Sequence, residues 1–118
     1  MKEELQQAIL AHGQWKVRLE SAIATGKSEF RPETVKPDNN CVFGKWFYGL
    51  PESEKNSKFY AEVKDLHAQF HLAAAKVLEL AIAGKPDEAM KLMTEGEYIR
   101  SSAKLILALG RWLNSVQS

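Results

Sequence analysis

Apolar positions recur along the chain every three or four residues, and nowhere do they alternate with period two over a useful length. Leu5, Ile9, His12, Leu19 and Ile23 share one helical face, which turns His12 inward, and Gly26 marks the stop. Residues 26–40, GKSEFRPETVKPDNN, carry two prolines and predict a 15-residue loop. That is longer than most connections in compact domains, and loops of this length are often functional. Asn39 or Asn40 offers an N-cap for a short helix from about Cys41 to Tyr48, which Gly49 and Pro51 then break.

A long helix is predicted from about Ser53 to Ala83, striped by Phe59, Val63, Leu66, Phe70, Val77, Leu78 and Ala81. His67 and His71 lie on or beside that stripe. Gly84 ends it. Pro86, with Asp87 and Glu88 behind it, starts a last helix. Its inward face reads Ala89, Leu92, Met93, Gly96, Ile99, Ala103, Ile106, Leu109, Leu113 and Val116. The expected architecture is all-α: a four-helix bundle with a short extra helix carrying Cys41, in a single domain over residues 1–118. Met90, Met93, Trp15, Trp46 and Trp112 read as core or interface residues.

Composition narrows the function classes. The net charge is +1, from 16 basic and 15 acidic groups, so no strong field steers nucleic acid or an anionic membrane. The single cysteine excludes an internal disulfide. The N-terminus MKEELQQAIL is too polar for a secretory signal, and no apolar run approaches the roughly 18 residues of a spanning helix. A cytoplasmic protein without direct membrane contact is expected.

The chemistry concentrates in four residues. Three histidines and one cysteine match the ligand number of a closed tetrahedral zinc site. His67 and His71, four apart, share one helix face a turn apart. His12 faces inward from another helix, and Cys41 opens the short one. Each residue alone has an ordinary reading: a core histidine, a chance pair, a buried inert thiol. The spacing H-x28-C-x25-H-x3-H is not a zinc-finger pattern. A Cys–His nucleophile would gain from the helix N-terminus but lacks an obvious orienting residue. A di-iron bundle would need more histidines or E-x-x-H pairs, and Glu62 lies five before His67, not three. Four protein ligands leave no open position for a zinc hydrolase, so no enzyme is expected.

The segments HGQWK (12–16), CVFGKWF (41–47) and HAQFH (67–71), in this order and spacing, resemble the chemoreceptor zinc-binding domain family over nearly the whole chain. The resemblance implies a four-helix bundle holding Zn2+ through His12, Cys41, His67 and His71, commonly as a homodimer. It implies a sensory role attached to a bacterial chemoreceptor or a diguanylate cyclase output module, in cis or in trans. Proposed signals in the family are zinc itself and oxidants such as hypochlorous acid that attack the zinc-bound thiolate. The rival reading is a structural zinc bundle for dimerisation, without sensing. Asp38, Trp15 and Trp46 are candidates for outer contacts or for transmitting a change. For Asp38, capping of the short helix is the favoured reading, and for Trp15 an ordinary core role weighs as much.

Overall fold

The computed structural model describes residues 1–117. They form seven helices, and no strand occurs among the described residues: α1 (Lys2–Thr25), α2 (Pro32–Val35), α3 (Val42–Tyr48), α4 (Glu52–Lys55), α5 (Lys58–Ile82), α6 (Pro86–Glu95) and α7 (Glu97–Gln117). The bundle is built by α1, α5, α6 and α7, with α3 laid against α1 and α2 against α5. It is elongated, 45 × 23 × 20 Å.

The first helix matches its apolar pattern. Leu5, Ala8, His12, Trp15, Leu19, Ala22 and Ile23 are buried along one face. Gly26 closes it with φ 71°, in the left-handed region that glycine enters without a steric penalty, and its N–H donates to the Ala22 carbonyl at 2.8 Å.

Three boundaries differ from the sequence reading. The expected loop contains a helical turn, α2, started by Pro32 with Glu33 behind it, which buries Val35. The helix expected from Ser53 is split, because the Ser57 hydroxyl accepts the Phe59 N–H at 3.0 Å and so caps a new start. The last helix breaks at Gly96, whose ψ of −151° is extended. A Cβ at Gly96 would lie 2.7 Å from Leu92 Cδ1 and 2.9 Å from the Leu92 carbonyl oxygen, so this close approach needs glycine.

That break rotates the register. Downstream of it α7 buries Tyr98, Ser101, Leu105, Ala108, Leu109 and Trp112. The expected inward residues Ile99, Ala103 and Val116 are exposed instead. Met93 joins the core while Met90 stays exposed. An ion pair between Arg111 and Glu62 links α7 to α5 on the surface. Among the described residues, no helix is long and apolar enough to cross a membrane.

Candidate metal centre

Three elements deliver the four candidate ligands. α1 brings His12, α5 brings His67 and His71, and the residue just before α3 is Cys41. Their donor atoms all lie within 4.8 Å of one another. His67 Nε2 is central: it lies 3.1 Å from His12 Nε2, 3.0 Å from His71 Nε2 and 3.4 Å from Cys41 Sγ. A tetrahedral zinc site with ordinary bond lengths separates its nitrogens by about 3.3 Å and nitrogen from sulfur by about 3.6 Å. The three distances from His67 are close to those values, within a cluster whose donors spread over up to 4.8 Å.

The outer ring nitrogens fix the tautomers. His12 Nδ1 donates to the Ala8 carbonyl at 2.7 Å, and His71 Nδ1 donates to the Val35 carbonyl at 2.8 Å. A carbonyl only accepts, so both protons sit on Nδ1 and both Nε2 atoms present bare lone pairs. Those lone pairs converge on His67 Nε2, which can offer one proton at most. The arrangement therefore suits a cation in its middle, and the donor set of three imidazoles and a thiolate fits zinc.

Burial also prepares the histidines for a metal. Desolvation lowers the His12 pKa to about 4. Desolvation, joined by His71 and His12, lowers that of His67 to about 2. His71 is likewise lowered, chiefly by burial. All three are thus neutral at pH 7, and no proton competes with a metal for them. Without a metal, burial pushes the Cys41 thiol up and the charge of Asp38 adds to this, while the Gly44 N–H opposes it. A bound cation reverses that balance and holds a thiolate.

Cys41 is itself the N-cap of α3, where an asparagine was expected. Its Sγ accepts the Gly44 N–H at 3.3 Å. Asn40 instead donates its side-chain amide to the Thr34 carbonyl at 3.1 Å, stitching the loop to α2. Gly44 makes the docking of α3 feasible: a Cβ there would lie 1.9 Å from the Asp38 carbonyl oxygen. Aromatic rings then seat α3. Phe47 stacks on Tyr60 with centroids 4.1 Å apart and planes 10° apart, and Phe43 meets the edges of His12 and His67 at 5.8 and 5.0 Å.

Asp38 does not cap the short helix. Its carboxylate accepts the Tyr48 hydroxyl at 2.6 Å and lies 3.5 Å from His67 Nδ1. Trp46 is half-buried, 6.2 Å from the Trp112 ring on α7. Trp15 is buried against Phe30 at 5.0 Å, and Arg18 lies over both rings. Trp15, Arg18 and Phe30 line a cavity of about 410 Å³ that also touches His12, Cys41 and His71. The three histidines are buried, whereas Cys41 is only partly buried.

Sequence reasoning named the four clustered residues but missed Tyr48, the Val35 carbonyl and the cavity wall. Tyr48 carried a weak signal, since it ends the helix that Cys41 opens. A main-chain carbonyl carries none. The segment that presents Cys41 is also held by more than its sulfur: Val35 is buried and bonded to His71, and Asp38 is bonded to Tyr48.

One comparison with known proteins bears on this geometry. No curated protein and no solved structure matches the chain significantly. The family model described as "Chemoreceptor zinc-binding domain" matches residues 12–78, a span that opens on His12 and includes Cys41, His67 and His71. Since that match covers more than half of the chain, the protein belongs to the chemoreceptor zinc-binding domain family.

Proposed function

We propose that this chain is a zinc-binding sensory domain in which His12, Cys41, His67 and His71 hold the metal and the Cys41 thiolate is the reactive element. One observation carries the sensing part: Cys41 is only partly buried and lines an open cavity, while the three histidines are buried. A sealed sulfur would favour a purely structural metal. Bound zinc would supply a permanent thiolate, the form that oxidants attack. With hypochlorous acid, Cys41 sulfur gains the oxygen as a sulfenic acid, and the electron pair leaves on chloride. The sulfur then loses both its charge and its grip on the Gly44 N–H, so the start of α3 loosens together with the site.

The signal passes to a chemoreceptor or diguanylate cyclase output module, in cis or in trans, from a homodimer in the cytoplasm. Exposed Leu10 and Val17, seven apart on the outer face of α1, support a face between two copies. Trp46, between Phe43 and Trp112, is one of two α3 rings, with Phe47, through which a shift of α3 reaches Trp112 on α7.

The test is zinc content and the mass of Cys41 before and after stoichiometric hypochlorous acid. The expected result is one added oxygen on Cys41 with loss of zinc. Retained zinc with an unmodified Cys41 would leave the structural bundle as the function.

A further inference from the structure

Two of the three ring Nδ1 atoms in the cluster have carbonyl partners, and the third does not. His67 Nδ1 is buried and makes no hydrogen bond among the described residues, though Asp38 Oδ2 is only 3.5 Å away. The separation is a contact without hydrogen-bond alignment. His67 is also the histidine nearest the other three candidate ligands, so its ring orientation governs the shape of the site.

Asp38 is held from both of its ends by α3. Its carbonyl oxygen occupies the space that a Cβ at Gly44 would fill, 1.9 Å from that position. Its carboxylate accepts the Tyr48 hydroxyl at 2.6 Å, from the last residue of the same helix. Burial first, and the neighbouring Asp38 second, push the Tyr48 phenol up, so it stays protonated and able to donate. A short helix thus grips one aspartate at its backbone and at its side chain, and points the carboxylate at an unpartnered imidazole nitrogen.

Resting on the zinc reading above, we propose that Asp38 and Tyr48 form a positioning pair for His67. The Asp38 carboxylate accepts a hydrogen bond from the His67 Nδ1–H when the site is loaded. This fixes His67 as the tautomer whose Nε2 faces the metal and makes that nitrogen a stronger donor. Tyr48 keeps the carboxylate from turning away. Partners of this kind orient the ligands of metal sites, and their loss typically costs roughly 10–100-fold in affinity. All three histidines then have an Nδ1 acceptor: Ala8 for His12, Val35 for His71 and Asp38 for His67.

The test uses the whole chain, with zinc affinity by chelator competition and the His67 Nδ1–H resonance by nitrogen-edited NMR. In zinc-loaded wild type that proton should be slow to exchange and shifted downfield. Asp38→Ala should abolish the resonance and weaken zinc by roughly 10–100-fold. Tyr48→Phe keeps the ring and its packing. It should shift the same resonance and weaken zinc by a smaller factor. Asp38→Asn keeps an accepting oxygen without the charge, so it should restore the resonance but only part of the affinity. A purely structural role would not produce that split. Equal zinc affinity in wild type, Asp38→Ala and Tyr48→Phe overturns the pair, as does an unchanged His67 resonance in Asp38→Ala. Wild type that takes up no zinc overturns the site reading and the pair together. Wild type that binds one zinc with indifferent variants overturns the pair alone.

Discussion

Gly44→Ala sets two known effects against each other, and the structure decides between them. Gly44 lies inside α3, where alanine is normally the better helix former by about 0.5–1 kcal/mol. The new Cβ, however, would lie 1.9 Å from the Asp38 carbonyl oxygen and 3.0 Å from Asn39 Cα. An ordinary contact between such atoms is over 3 Å, so something must move by more than 1 Å. The obstructing atoms are backbone, and no rotamer change relieves them. Overpacking of this kind costs about 1–3 kcal/mol, which outweighs the helical gain. Displacing the peptide at residues 38–39 also shifts Asp38 and the start of α3, so zinc affinity should fall along with stability. Thermal unfolding of the metal-free protein, with chelator competition for zinc, reads both effects. At about 4 °C per kcal/mol the midpoint should drop by several degrees. Gly13→Ala is the control: its Cβ would meet nothing within 4 Å, so only the helical gain should remain. A Gly44→Ala protein as stable as wild type, with unchanged zinc affinity, would refute the close-approach argument.

Further outcomes bear on the same site. Cys41→Ala should weaken zinc without unfolding the bundle and abolish the oxidant response. Equal affinities by competition titration would remove Cys41 from the site. His67→Ala combined with His71→Ala should eliminate stoichiometric zinc, and elemental analysis finding one zinc per chain would contradict this. In the metal-free protein the folded-state pKa of His12 is lowered to about 4 and that of His67 to about 2, from 6.5. Below pH 6.5 the unfolded chain therefore binds more protons, so the contribution of these histidines should be level above that pH and stability should fall as pH drops toward 4 and beyond. Urea midpoints that stay flat between pH 7 and 5 would show that these histidines are not buried as neutral groups.

The site was more legible in the sequence than its surroundings. Three inward histidines and one cysteine could be assembled because helical period dictates facing, and His67 and His71 share a face by arithmetic alone. The stop of α1 was legible for the same reason, since Gly26 is a strong local signal. The register of α7 was not. Carrying the apolar stripe across Gly96 as one helix put Ile99 inward and missed Tyr98, because an extended ψ at a single residue shifts the phase of the helix that follows, although Leu109 stays inward. For Asp38 the sequence offers an outer contact at the site or capping, and capping, the favoured task, is the one the structure gives to Cys41. In sequence an acid shortly before a helix looks like a cap. Here the cap is Cys41 sulfur, which is not among the preferred capping groups and which accepts the Gly44 N–H. Pro32 with Glu33 was an available start signal for α2, hidden by the loop-like composition around it.

The partners of His12 and His71 are the main-chain oxygens of Ala8 and Val35. A peptide carbonyl is supplied by whichever residue stands at the position. Side-chain replacements at residues 8 and 35 that respect the packing therefore leave both partners in place. The Asp38 carboxylate is the side-chain partner facing His67, and it can be erased by a single codon change. In a saturation mutational scan scored on zinc retention, positions 8 and 35 should tolerate replacements of similar size, while position 38 should be intolerant. The supports of this centre are thus unequally exposed to mutation: two are written in the backbone trace, and one in the genetic text.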